Sequence, residues 1–284
     1  MKKLFLFLSV SVLLFSACKK DKTDDSDTTQ PLLDEVVAAT DNAIANNMFD
    51  DVFKQSTFGT RKMDDSLSGK KSDNQWLSAC ATVTITPFDL TSWPKTVTVD
   101  FGVTNCTCND GVLRRGKLIM NVTDWFRDSG CVVTVTPQNY YVNDYKVEGN
   151  KVITNNGRNS QNHMIYGVQI TNGKVTDPSG TAYRTWNSSR LHEWLSGENT
   201  ILNPWDDEYS ITGNGNGITR TGKNYTIVIN NALNVYTGCR WIRSGKLTLT
   251  VATNAPVLVD YGNGTCDQYA TVTVNGVTYS ITMN

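Results

Sequence analysis

From residue 81 onward, run after run alternates polar with apolar residues, and that pattern confines the chain to antiparallel sheet. It is explicit in Thr82-Val83-Thr84-Ile85-Thr86, Thr96-Val97-Thr98-Val99-Asp100-Phe101 and Lys117-Leu118-Ile119-Met120-Asn121-Val122. It returns in Val133-Thr134-Val135-Thr136, Lys246-Leu247-Thr248-Leu249-Thr250-Val251 and Thr271-Val272-Thr273-Val274. Successive side chains of a strand point to opposite faces, so a period of two gives one wet and one buried face. Threonine on the wet face suits its β preference. Asn275-Gly276, between two such runs, is a strong hairpin signal. Glu148-Gly149, Asn172-Gly173 and Pro178-Ser179-Gly180 mark further turns. The expectation is an all-β domain over 79–284, an elongated antiparallel meander or sandwich-like sheet of roughly ten to thirteen strands.

Two stretches echo one another. Arg115-Gly116-Lys117-Leu118 resembles Ser244-Gly245-Lys246-Leu247, and Val99-Asp100-Phe101-Gly102 resembles Val259-Asp260-Tyr261-Gly262. Their order is reversed between the halves, which points to similar hairpins rather than a tandem repeat.

Ahead of the sheet the period changes. Leu33, Val36, Val37, Ile44, Met48, Phe49, Val52 and Phe53 recur mostly at steps of three and four, with Asp34, Glu35, Asp41, Asn42 and Asp50 between them. This predicts one amphipathic helix over 31–58, opened by Pro31 and closed at Gly59, with its apolar stripe on the sheet. Residues 59–78, rich in Lys, Asp, Ser and Gly, read as a solvated loop.

The N-terminus has a basic head (Lys2, Lys3), an apolar run from Leu4 to Phe15 and the exit Ser16-Ala17-Cys18. Those are the parts of a secretory signal, here over 1–17, and the run is shorter than the roughly 20 apolar residues of a permanent span. Small residues directly before cysteine resemble a lipobox, which makes Cys18 the expected lipidation site, carrying acyl chains such as palmitate. Residues 18–30 contain no apolar residue beyond Cys18 and predict a disordered tether. The chain has a net charge of −1 and no basic run, which argues against nucleic acid as a partner.

Six cysteines follow Cys18: Cys80, Cys106, Cys108, Cys131, Cys239 and Cys266. In an exported chain they are disulfide candidates. Hairpin reasoning favours Cys80 with Cys106 and Cys239 with Cys266. Cys108 and Cys131 would stand at opposite ends of a long strand, so at least one is expected to remain a thiol. Cys106-Thr107-Cys108 lacks metal-site spacing, and no metal or cofactor is expected.

Catalytic signatures are sparse. His163 and His192 form no metal motif, and no Gly-x-Ser-x-Gly elbow exists. Gly213-Asn214-Gly215-Asn216-Gly217 lacks the lysine of a phosphate loop. No catalytic residue is assigned. The richest stretch is 183–209, which gathers three of the seven tryptophans with charges of both signs. Aromatic faces flanked by polar groups make pockets for sugars or peptides, so Trp186, Arg190, Trp194, Trp205 and Asp207 are the candidate ligand-binding residues. The competing reading is a short helix, Ser188 to Leu195, whose aromatics plug the β core. A glycosidase would need two carboxylates in one cleft, drawn from Glu193, Asp207 or Glu208.

Several stretches together carry a resemblance. They are Trp93-Pro94-Lys95-Thr96-Val97-Thr98-Val99-Asp100-Phe101-Gly102, Arg114-Arg115-Gly116-Lys117 and Tyr140-Tyr141-Val142-Asn143-Asp144-Tyr145-Lys146-Val147-Glu148-Gly149. Gly238-Cys239-Arg240-Trp241 and Asp260-Tyr261-Gly262-Asn263-Gly264-Thr265-Cys266-Asp267 complete the set. Over most of residues 80–284 the chain resembles an uncharacterised family of Bacteroidota cell-envelope lipoproteins. The resemblance implies an all-β fold and an outer-membrane location, and brings no activity or site residues with it. The expectation is an outer-membrane-anchored, surface-exposed lipoprotein acting as a non-enzymatic binding module for glycan, peptide or envelope protein. The alternatives are a structural or lipid-cradling envelope protein, and a carboxylate-dependent glycosidase.

Overall fold

The computed structural model describes residues 33–69, 81–200 and 203–283. The expected signal peptide, Cys18, the expected tether, Pro31 and Cys80 therefore lie outside the described residues, as do residues 70–78 of the expected loop, while its residues 59–67 are helix rather than solvated loop.

One helix, α1 (Asp34–Leu67), precedes fourteen strands: β1 (Thr82–Thr86), β2 (Lys95–Asp100), β3 (Cys106–Thr107), β4 (Leu113–Val122), β5 (Val132–Val142), β6 (Tyr145–Arg158), β7 (Met164–Thr176), β8 (Tyr183–Ser196), β9 (Glu208–Ile218), β10 (Asn224–Tyr236), β11 (Ser244–Val251), β12 (Val257–Asn263), β13 (Tyr269–Val274) and β14 (Val277–Thr282). They form one antiparallel sheet in sequence order, with β1 and β14 at its edges and the short β3 set beside β4. The all-β meander read from the alternation is the architecture observed. At the last hairpin Asn275 and Gly276 both take positive φ, 51° and 81°, as a tight turn between β13 and β14 demands.

The helix differs from expectation in length and in burial. It runs through Gly59 to Leu67. Gly59 is an interior contact, because a Cβ there would lie 2.7 Å from both Met120 Cε and Val99 Cγ2. Its polar face is also withdrawn from water: Asp41, Asn42, Asn46 and Asp51 are buried along with Val36, Ala39, Met48 and Val52. The reason is that the sheet wraps the helix, which approaches both edge strands as well as β2, β4–β8, β11 and β13.

Strand β8 shows how the wrapping works. Its residues 184, 186, 190, 192 and 194 face inward, and they meet the helix in order. Arg184 reaches Asp41, Trp186 reaches Asn42, Arg190 reaches Asn46, and Trp194 lies under Arg61. Twenty helical residues cover about 30 Å and ten strand residues about 33 Å, so the two elements match in length from the first of these contacts to the last.

The echoed segments prove to be one local device used twice. Gly116 (φ 85°) and Gly245 (φ 113°) occupy bulges where a Cβ would meet the carbonyls of Asn139 and Ala232. The following lysines, Lys117 and Lys246, each hold an aspartate, Asp100 and Asp260, at 2.8 Å. Each aspartate also accepts a bond from the backbone of the glycine two residues on, at 2.9 Å. Bulges bend a strand, which helps this sheet to curl.

Cys239 and Cys266 are joined by a disulfide, with Cα atoms 5.8 Å apart. Cys106 is also disulfide-bonded, while its expected partner Cys80 is not among the described residues. Cys131 is a buried free thiol that burial pushes up to about 11, which leaves it protonated and unreactive at neutral pH. The Cys108 thiol is also buried, and its Sγ donates to the carbonyl of Cys106.

Candidate functional site

Four of the five candidate ligand-binding residues belong to the interior. Trp186 is 1% exposed, stacks on Phe49 with ring centres 5.5 Å apart, and donates from Nε1 to Asn42. Arg190 donates to Asn46 and lies 4.7 Å from the centre of the Trp186 ring. Trp194 stacks on Tyr209 at 5.8 Å, and the guanidinium groups of Arg61 and Arg127 lie 4.9 and 5.1 Å from the centre of its ring. Asp207 pairs with Arg61 at 2.9 Å, both side chains buried. These residues serve the core: alternation along β8 turns Trp186, Arg190 and Trp194 toward α1, and Asp207, at the end of the turn Pro204–Asp206, is drawn in by Arg61. Their stretch from Ser188 to Leu195 is strand rather than the short helix considered from sequence.

The carboxylates named for a glycosidase do not converge. Glu193 is held on the outer face by His163 at 2.7 Å, Asp207 points inward to Arg61, and Glu208 bonds Asn234 at 2.7 Å. Among the described residues no group of three His, Cys, Asp or Glu is arranged to hold a metal ion. Along the concave side of the sheet lies α1, packed against both edge strands and most of those between.

Trp205 is the exception. It stands on a single 3₁₀ turn, Pro204–Asp206, and contacts Phe58 edge-on at 5.6 Å. With that turn it forms part of a cleft of about 570 Å³. One face of α1 makes the floor (Asp51, Lys54, Gln55, Phe58). The turn at 109–112 and Arg114 form one side, and Trp205 with Thr237–Trp241 the other. Cys266 also borders the cleft, so the disulfide lies in its rim. The volume lies in the range of small-molecule sites, roughly 300 to 1,000 Å³.

The charges in the cleft are ordered. Arg114 is 2% exposed and donates from Nε to both oxygens of Asp51 at 3.1 Å. Its remaining nitrogens donate to Asp110 at 2.8 and 2.7 Å. Tyr140 Oη donates to Asp51 at 2.6 Å, and burial together with the Asp51 charge pushes that phenol well up. Burial favours the neutral form of Asp110, but the bond and charge of Arg114 prevail and hold its carboxyl below the usual range. Asp51 and Asp110 are thus tied to one arginine, an arrangement suited to fixing a wall rather than donating protons. Lys54 Nζ donates to the carbonyl oxygens of Cys239 at 2.7 Å and Thr237 at 3.5 Å, and burial lowers its affinity for the proton. Arg240 is half-buried and makes no hydrogen bond or ion pair among the described residues; its guanidinium lies 5.8 Å from the centre of the Trp241 ring.

Sequence reasoning missed Lys54, Asp110, Arg240 and Trp241 as site residues. Arg240 and Trp241 stood in a stretch noted for its resemblance, but nothing local distinguished them, since the cleft is assembled from six separated stretches of the chain. No family model, no curated protein and no solved structure matches this chain.

Proposed function

We propose that this protein is a lipid-anchored module of the outer membrane, turned to the cell exterior, that binds a glycan in the cleft between Trp205 and Trp241 without transforming it. The observation carrying the reading is the pairing of two half-buried tryptophans, Trp205 and Trp241, with charged groups around one opening of about 570 Å³. Aromatic faces pack on the apolar faces of sugar rings, while guanidinium and ammonium groups answer hydroxyl and acidic substituents. The lipobox-like Ser16-Ala17-Cys18 and the apolar-free stretch that follows support the anchor and the tether.

The test is binding of the full chain, purified in detergent, to a broad glycan array, beside a Trp205→Ala/Trp241→Ala double variant. Specific binding that the double variant loses is the expected result. Absence of binding to every glycan would overturn the glycan reading in favour of a protein partner. Metabolic labelling with a fatty acid, and its loss in Cys18→Ala, tests the anchor.

A further inference from the structure

Resting on the reading of the cleft as a glycan site, we infer that its ligand is an acidic glycan whose sugar carboxylate is received by the guanidinium of Arg240.

The lining carries three cations, Lys54, Arg114 and Arg240, against two carboxylates, Asp51 and Asp110. Arg114 is committed to both carboxylates at once. Lys54 is turned onto backbone carbonyls of the opposite rim. Arg240 alone among the three has no hydrogen-bond acceptor or ion-pair partner among the described residues; its guanidinium lies near the Trp241 ring, and the carboxylates of Asp51 and Asp110, already bound to Arg114, attract it only through space. A cation drawn out of water without an acceptor is costly, and burial accordingly lowers the proton affinity of this guanidinium. An arriving carboxylate would remove that cost, and the planar fork of arginine matches it through two parallel bonds. One surplus positive charge suits a single carboxylate on a sugar rather than a densely sulfated chain.

The setting favours recognition of a ring as well as a charge. Arg240 follows Cys239 directly, and the disulfide to Cys266 anchors that rim to the β12–β13 connection. Trp241 and Trp205 flank the same opening, so a sugar with its carboxylate on Arg240 has aromatic surface beside it. A rim fixed before binding loses less freedom when the ligand arrives.

The experiment titrates the full chain in detergent with oligouronates of several linkages, each beside its methyl ester, and with neutral and sulfated oligosaccharides. The expected result is that at least one uronate binds roughly tenfold or more tightly than its neutral ester, since a charge-assisted bidentate pair is being removed. Arg240→Gln should abolish that preference while retaining the wild-type melting temperature. Equal affinity for acid and ester, a preference that survives Arg240→Gln, or selection of the sulfated chain would overturn the inference and leave the glycan reading standing. Binding to neutral sugars alone would do the same. Binding to no oligosaccharide of any class would overturn both readings. The acid-against-ester comparison uses wild-type protein, so it decides the matter even if the variant fails to fold.

Discussion

Arg184 Nε donates to the carboxylate of Asp41 at 3.0 Å, with side-chain exposures of 1% and 0%. The same carboxylate accepts from the backbone of Arg220 at 2.7 Å and from its guanidinium, so one helical aspartate ties β8 to the turn after β9. Removing one member of a buried pair strands the other charge, so Asp41→Ala is expected to cost about 3–5 kcal/mol in urea unfolding. Asp34→Ala removes a half-exposed partner of Lys223, 3.4 Å away, and should cost no more than about 1 kcal/mol. Similar losses from the two variants would mean that the Asp41 pairs contribute little to stability.

Stability should pass through a minimum near neutral pH. Burial pushes the carboxyl groups of Asp207 and Asp64 up to about 7, against the pull of Arg61 on the first and the Phe126 backbone on the second. Each binds its proton more tightly folded than unfolded, so its contribution is full below the unfolded value near 4 and is lost as pH rises to about 7. Lys151 has the opposite sign. Burial lowers its ammonium to about 7, so the unfolded chain holds that proton more tightly, and stability is regained as pH rises from about 7 toward 10. Melting temperature measured from pH 4 to pH 10 should fall and then rise, with Lys151→Met removing the alkaline recovery. A flat profile would contradict these shifts.

The Cys239–Cys266 bridge closes a loop spanning 27 residues and lies in the rim of the cleft. A Cys239→Ser/Cys266→Ser variant is expected to lose about 2–4 kcal/mol. Amide exchange should quicken over 237–241 ahead of the strands that flank it. Unchanged exchange there would show that Lys54, through its bonds to Thr237 and Cys239, holds this rim without the disulfide.

The strands were legible because alternation in hydropathy reports directly which residues face inward. It failed at β8, where the inward set is Arg184, Trp186, Ser188, Arg190, His192 and Trp194 and the outward set is mostly small or polar. The period of two is present there too, but in bulk and charge, because these side chains must span the gap to a polar helix face. Gly59 misled for a related reason. Glycine after an apolar run reads as a stop, whereas here it gives Met120 and Val99 room to approach a helix that continues. The cleft was the least visible feature, since Lys54, Asp110, Trp205 and Arg240 come from distant segments and meet only once the sheet has wrapped α1. Trp205 was found because aromatic density alone marked its neighbourhood.

Asn47 on the helix donates to the carbonyl of Met283 across 236 positions of sequence, and Asn42 donates to Tyr261 across 219. The first element to emerge is thus the last to be completed, for its polar groups wait until the final hairpin has been made. Contacts this distant slow folding, since the entropy of closing long loops is spent before they are rewarded. During that interval the Asp and Asn side chains of the helix remain hydrated, while the half-built sheet offers open edges on which neighbouring chains could pair. The aggregation hazard then falls on the strands, and it ends for the inner face when they close around the helix.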